Sequence, residues 1–347
     1  MVEKINNISK TCFYCNVDNK TLDVVEFYKQ DINILHDIAD EVIIATRWRD
    51  IDWKSDIIFV WWWTYAFIPV FIGKILRKRV IITGTFNIGD KKNNRDYDNR
   101  KFLQRMLIKY SLTHAWKNIL VSKKEHSLIR ERWKLDNLEY SPHIVDIEKY
   151  SYSSKRIKNL LFTICWMEKE NVYRKCIREI VNSIRIISER GLNIKLIIAG
   201  HSGGAENDVI DLIKEQKLDR YVEFVGEIDE RNKVKLLQEC SIYLQPSRYE
   251  GFGLAIAEAM SCGSAIISSD TGEVRNVVGD SGIILNNCDE KNISIAITSL
   301  LANPQKILEF GKSARDRIVN NFSYERRLED FKRILKGELN ETNNPIL

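Results

Sequence analysis

Two carboxylates eight residues apart bracket a glycine turn in Glu250-Gly-Phe-Gly-Leu-Ala-Ile-Ala-Glu258. Gly251 and Gly253 allow the backbone to approach a ligand closely. The helix expected to open just after them offers free N–H groups and a dipole that favour phosphate. Glu250, ahead of the turn, is placed to accept from hydroxyls. Glu258, about one turn into the helix, can accept from a vicinal diol. Its neighbours Ala257, Ala259 and Met260 are core-like, which argues against an ordinary solvated carboxylate. The chemistry implied is the holding of a phosphorylated, hydroxyl-rich small molecule.

A regular alternation of strands and helices must carry that turn. Strands are expected over 159–165, 195–200, 221–225, 241–245, 264–268 and 282–285, with helices over 174–190, 207–216, 230–239 and 254–262. Strands separated by single helices imply right-handed crossovers and a doubly wound parallel α/β sheet. Ligands of such sheets sit beyond the carboxyl ends of the strands. The first half reads the same way, with strands over 11–16, 41–45, 57–62, 80–83 and 117–122 and helices over 67–77, 100–112 and 124–133. A polar, serine-rich connector at Tyr150-Ser-Tyr-Ser-Ser-Lys155 puts the boundary between domains 1–150 and 151–323. The helix expected over 324–337 is assigned back to the first domain, and 338–347 reads as a frayed tail.

At 347 residues, two domains are expected. Hydrophobic residues at 44% and charged residues at 29% describe an ordinary globular chain. The net charge of +5 resides in residues 1–150, with 25 Lys and Arg against 20 Asp and Glu, concentrated between Lys74 and Lys134. This excess suits anionic lipid headgroups or a phosphorylated acceptor and is too modest to favour nucleic acid. Seven scattered cysteines point to buried thiols in a reducing compartment. Cys12-Phe-Tyr-Cys15 has no partner cluster and reads as part of a strand. The first seven residues show no signal-peptide architecture. Residues 57–73 are apolar and uncharged but short for a span and carry Pro69, so they read as a buried strand followed by its crossover helix. The cytoplasm is therefore the expected location. The aromatics at Trp61–Tyr65 look exposed, and with Arg77-Lys78-Arg79 they suggest contact with the inner face of the cell membrane.

The stretch Pro246 to Gly263, with its E-x7-E spacing, resembles the signature of glycosyltransferase family 4 (glycosyl transferases group 1), retaining enzymes of the GT-B fold. The likeness extends over most of residues 140–335 through Leu196-Ile-Ile-Ala-Gly200, Val222-Glu-Phe-Val-Gly226 and Ser268-Ser-Asp-Thr-Gly272. It implies two facing Rossmann-like domains with a cleft between them, the donor held by the second and the acceptor by the first. It also implies hexosyl transfer from a UDP- or GDP-sugar to a saccharide or lipid-linked acceptor, in cell-surface polysaccharide or glycolipid synthesis. No metal or cofactor is implied beyond the nucleotide sugar. By the same likeness Glu250 and the backbone of Phe252, Gly253 and Leu254 meet sugar and diphosphate. Glu258 meets the ribose, and Gly226, Glu227 and Ile228 lie near the base. Lys175, at a helix start, takes the position of the family's phosphate-binding lysine. Its arginine has no clear equivalent: Trp166 stands in its place, and Lys169 or Arg174 is the substitute.

The first domain departs from the pattern. Asn16-Val-Asp-Asn-Lys20 stands where many members have a glycine-rich loop. Thr83-Gly-Thr-Phe-Asn87 offers Asn87 where many have a histidine, and an amide can hydrogen-bond a sugar but cannot act as acid or base. His114 and His126 read as surface or packing residues, with His143 and His201 as weaker candidates near the cleft. Two other readings compete. Asp50-Ile-Asp52 and Asp96-Tyr-Asp98 match the Asp-x-Asp of metal-dependent transferases, a common tripeptide. A catalytically silent relative that binds a nucleotide sugar or glycan as a partner subunit is the alternative function.

Overall fold

The computed structural model describes residues 8–89 and 96–337. The first seven residues and the tail assigned to 338–347 lie outside them. The chain forms two compact units, one running to Ile144 and resuming at Tyr324, the other Val145–Ser323. The division precedes the serine-rich connector, so the boundary moves from Tyr150 to Ile144. The reason is packing: Val145 N–H donates to the Phe322 carbonyl at 2.9 Å, and Tyr150 is buried in the second unit's core.

The first unit strings together β1 (Lys10–Tyr14), α1 (Asn19–Val24), α2 (Glu26–Ile38), β2 (Glu41–Ala45), β3 (Ile57–Trp61) and α3 (Phe67–Ile75). It continues through β4 (Arg79–Gly84), α4 (Phe102–His114), β5 (Lys117–Leu120), α5 (Lys123–Trp133) and β6 (Leu138–Tyr140). Its parallel sheet has the order β2-β1-β3-β4-β5-β6. β3 is buried throughout, which explains its unbroken apolar run. The aromatics expected at the surface are mostly interior. Trp61 stacks on His143 at 5.9 Å, and Trp63 is buried with its Nε1–H donating to Asn118 Oδ1 at 2.9 Å. Half-buried Trp62 donates to the Tyr28 hydroxyl, leaving Tyr65 as the exposed ring of the group.

The second unit runs β7 (Ile157–Ile164), α6 (Lys169–Arg174), α7 (Ile177–Glu189), β8 (Lys195–Ala199), α8 (Glu206–Glu215), β9 (Val222–Gly226) and α9 (Glu230–Glu239). It ends with β10 (Cys240–Gln245), α10 (Leu254–Ser261), β11 (Ala265–Ser269), α11 (Val274–Val278), β12 (Gly282–Leu285), α12 (Glu290–Leu301) and α13 (Pro304–Asn321). The sheet is parallel, in the order β12-β11-β10-β7-β8-β9. Ile177, Ile180, Ile184 and Ile187 form one buried face of α7 at helical spacing. Asp229 caps α9 and Asp289 caps α12, each accepting from the N–H three residues on. The single helix expected over 174–190 is two: Cys176 takes a left-handed conformation (φ 53°) and breaks it. Lys175 thus lies in a junction, not at a helix start.

The last helix, α14 (Tyr324–Lys336), packs on the first unit. Fully buried Arg327 pairs with Asp31 at 2.8 Å and donates to the Ser141 carbonyl at 2.7 Å.

Candidate active site

In the second sheet the chain order reverses between β7 and β10. From β7 it builds outward through β8 and β9; from β10 it builds the other way through β11 and β12. Open α/β sheets bind ligands at the carboxyl side of such a switch point. Here β7 leads through residues 165–168 into α6, and β10 leads through Pro246–Gly253 into α10.

Five side chains meet there. Lys175 donates from Nζ to the Ile164 carbonyl at 3.0 Å and to Gln245 Oε1 at 3.3 Å. Gln245 donates from Nε2 to Glu250 Oε1 at 2.7 Å, and the Tyr243 hydroxyl donates to Gln245 Oε1 at 2.8 Å. Arg174 donates from Nη1 to the Tyr249 carbonyl at 3.0 Å and to the second Glu250 oxygen. Two cations thus face one carboxylate, leaving an excess positive charge for an anion. Burial draws the Lys175 ammonium below the ordinary lysine range, and Glu250 opposes that shift. An anion arriving beside it would favour the charged form.

The turn after Glu250 is fixed from both sides. Gly253 has φ 89° and precedes α10 without a side-chain cap. The N–H groups of Leu254 and Ala255 lie ahead of the helix's own ladder, which starts with Ala257 donating to the Gly253 carbonyl at 3.0 Å. Phe252 offers backbone alone, since its ring is buried against Phe322. Gly272 (φ 54°) presses on the turn so closely that a Cβ there would lie 1.6 Å from the Glu250 carbonyl oxygen. Glu273 N–H donates to the Gly251 carbonyl at 2.9 Å. Ser268 Oγ donates to the Gln245 carbonyl at 2.7 Å.

Glu258 is 3% exposed and already partnered. Lys233 of α9 reaches it at 2.7 Å and donates to the Tyr150 hydroxyl at 2.9 Å, while that hydroxyl donates to Glu230. Burial pushes the Glu258 carboxyl above its usual range, with Lys233 pulling the other way. The carboxylate therefore belongs to a buried ionic cluster one turn behind the glycine turn.

The remaining sequence candidates scatter. Lys169 is exposed and its ammonium lies 4.0 Å from Asp208, so of the two substitutes for the family's arginine it is Arg174 that lies in the cluster beside Lys175. Gly226 ends β9 with φ 73°. Glu227 accepts at 2.8 Å from the His201 ring, which lies 5.4 Å from exposed Trp166. Ile228 packs partly into the core. Asn87 belongs to the first unit, where its Nδ2 donates to the Thr85 carbonyl at 3.3 Å. Buried Glu125 holds that loop by accepting from the N–H groups of Phe86 and Asn87 at 3.0 and 2.7 Å. His143 is buried, and desolvation holds its pKa well below the usual imidazole range. Of the Asp-x-Asp tripeptides, Asp50 pairs with Arg47, Asp52 with Lys10 and Asp98 with Arg132.

Sequence reasoning missed Gln245, Lys233 and Tyr150. Gln245 left a signal, as a polar residue ending an apolar strand directly before Pro246. Lys233 left none, because nothing local distinguishes it from exposed Lys235 on the same helix.

Residues 167–317 match the family model described as glycosyl transferases group 1. The chain is 30% identical to the O-antigen chain mannosyltransferase B of Escherichia coli over 129 residues, covering 37% of this chain and 34% of that protein. It is 25% identical to the N-acetyl-alpha-D-glucosaminyl L-malate synthase of Bacillus anthracis over 238 residues, 65% of this chain and 61% of that one. The matches span about a third of the length of several of these relatives, including the Escherichia coli protein. Among solved structures, Anabaena Alr3699/HepE in complex with UDP superposes with a TM-score of 0.75 at 13% identity, covering 95% of this chain and all of that one. The sucrose-phosphate synthase of Thermosynechococcus elongatus gives 0.72 at 16% identity, with 95% and 98% covered. The fold is that of the GT-B glycosyltransferases.

Proposed function

We propose, from a second unit in which residues 167–317 belong to the glycosyl transferases group 1 family, that this chain moves a hexosyl unit from a nucleoside-diphosphate sugar to a hydroxyl. The observation that carries the reading is the cluster of Arg174, Lys175, Gln245 and Glu250 beside the uncapped start of α10, at the switch point of the sheet. Lys175 and the N–H groups at Gly253 and Leu254 stabilise the charge that grows on the leaving diphosphate. Glu250, oriented by Gln245 and Arg174, accepts from hydroxyls of the transferred sugar. The bond from the anomeric carbon to the diphosphate breaks, and the acceptor oxygen bonds that carbon from the same face. The acceptor proton passes to the departing phosphate, so no histidine is needed and configuration is retained. With two protein cations at the diphosphate, the reaction runs without a metal. Full activity in excess chelator is the expected result.

The donor is a UDP- or GDP-sugar, and Glu227 and Ile228 border its base. UDP in the Anabaena structure and the mannosyl chemistry of the Escherichia coli relative support that choice. The acceptor is a saccharide or lipid-linked saccharide of the cell surface, met on the cytoplasmic side of the membrane with Asn87 of the first unit as a hydroxyl partner. UDP-, GDP- and ADP-sugars scored by thermal shift and slow hydrolysis test the proposal. One of the first two should stabilise the protein and turn over, and Lys175→Ala, shown to be folded, should lose both effects. Wild-type turnover in that variant would refute the assignment.

One observation favours a catalytically silent binder: the Glu250 and Glu258 carboxylates are both satisfied internally, by Arg174 and Lys233. Tight nucleotide-sugar binding with no hydrolysis and no transfer would select that reading.

A further inference from the structure

Six of the nineteen large exposed hydrophobic side chains among the described residues lie on one pair of neighbouring helices in the first unit. They are Phe71, Ile75 and Leu76 at α3, and Phe102, Leu103 and Met106 on α4, with Phe102 71% and Ile75 65% exposed. The helices pack directly, Phe67 and Phe71 meeting Tyr110 with ring centroids 5.3 and 6.4 Å apart. Both cross between parallel strands of one sheet, so they run the same way. Tyr110 lies one turn beyond Met106, and Phe71 one turn before Ile75, so the exposed side chains continue from the seam along each helix. Single exposed apolar residues need no explanation, but an apolar stripe that runs from Phe102 and Leu103 through Met106 and the Tyr110–Phe71 seam to Ile75 and Leu76 does.

Among the described residues, the charge on α3 and α4 has one sign. No Asp or Glu occurs from residue 57 to 89 or from 99 to 124. Lys74, Arg77, Lys101 and Lys109 are exposed there. Beside the apolar residues, Lys74, Arg77, Lys78 and His114 line a groove of about 370 Å³ floored by Val70 and Trp116. Large apolar side chains on two helices whose charged residues are all cations fit an interface with an anionic bilayer, where acyl chains take the first and headgroups the second. An acidic protein would satisfy the cations but not the bare Phe102 and Leu103. A second copy of this face would set cation against cation.

We infer that the α3–α4 face docks the protein on anionic lipid. The surface differs from the tryptophan run, which is largely interior, and belongs to the first unit alone. It stands whether or not the donor chemistry proposed above does. Flotation with vesicles of phosphatidylcholine, or of phosphatidylcholine mixed with phosphatidylglycerol, tests it with neither donor nor acceptor present. The protein should float with the mixed vesicles alone, and added salt should release it. Lys74→Gln/Arg77→Gln/Lys101→Gln should bind about a hundredfold more weakly, from three lost headgroup attractions. Phe102→Ser/Leu103→Ser should lose binding even at low salt, and both variants should keep any thermal shift given by UDP-sugar. Equal flotation with both vesicle types, or none, overturns the inference. So does a vesicle-free dimer in sedimentation velocity that the serine variant abolishes, which would give the face to a second copy.

Discussion

Replacing Lys233 with methionine should destabilise the second unit in a strongly pH-dependent way. The Lys233 ammonium lies 2.7 Å from Glu258 and 3.5 Å from Glu230 and donates to Tyr150, and Glu258 is almost wholly buried. Methionine keeps most of the volume but leaves Glu258 without a cation. Breaking a buried pair from one side costs about 3 to 5 kcal/mol. For a domain of this size that is a fall in melting temperature of roughly 6 to 20 °C. Glu258 already sits above its usual pKa through burial, and losing Lys233 pushes it higher. Between the unfolded and folded pKa the folded variant holds the extra proton, so its stability falls as pH rises through that window. The deficit should be full near pH 8 and small near pH 4, close to the ordinary carboxylate value. Urea unfolding followed by circular dichroism at both pH values measures it. Lys233→Met/Glu258→Gln should recover most of the loss by removing the orphaned charge. A deficit below about 1 kcal/mol near pH 8, an equal deficit at both pH values, or a double variant no more stable than the single would each refute the reasoning.

Gly272→Ala should destabilise the second unit by at least about 1–2 kcal/mol from its left-handed backbone alone. Because the added Cβ would collide with the Glu250 carbonyl, it should also abolish thermal stabilisation by UDP-sugar, read in the same melt. Lys175, drawn below the ordinary lysine range by burial, binds fewer protons folded than unfolded between its two pKa values. Stability should therefore rise with pH across that interval, while nucleoside-diphosphate affinity falls as the ammonium is lost; calorimetry across alkaline pH should find both slopes absent in Lys175→Met. Arg327→Met should strand buried Asp31 and cost the first unit about 3–5 kcal/mol, leaving the second unit's transition in place in a calorimetric scan.

The glycine turn was legible because its chemistry is local. Glu250, Gly251, Gly253 and the start of α10 are consecutive, and free N–H groups at a helix start follow from backbone geometry alone. The inner strands β10 and β11 of the second unit were legible because a parallel strand buried on both faces is a nearly continuous apolar run. The tryptophan run misled for the same reason: an apolar stretch without period does not say which rings reach solvent, and Trp61 and Trp63 turned inward. The helix over 174–190 was drawn too long because Cys176 carries no mark of its left-handed backbone.

The amino-acid sequence by itself determined two doubly wound units, all their strands but β6 and the turn that offers N–H groups to phosphate, since each depends on neighbours within a few residues; it left α1, α2, α11, α12 and α13 unmarked. Tertiary structure decided the partners. Arg174 lies 76 residues from the Glu250 it orients, and Lys233 lies 25 residues from the Glu258 it neutralises. Arg327 lies 296 residues from Asp31, and that pair fixes α14 to the first unit. Pairing over such distances depends on which strand ends and helix faces the sheet brings side by side, and no local pattern of residues records that.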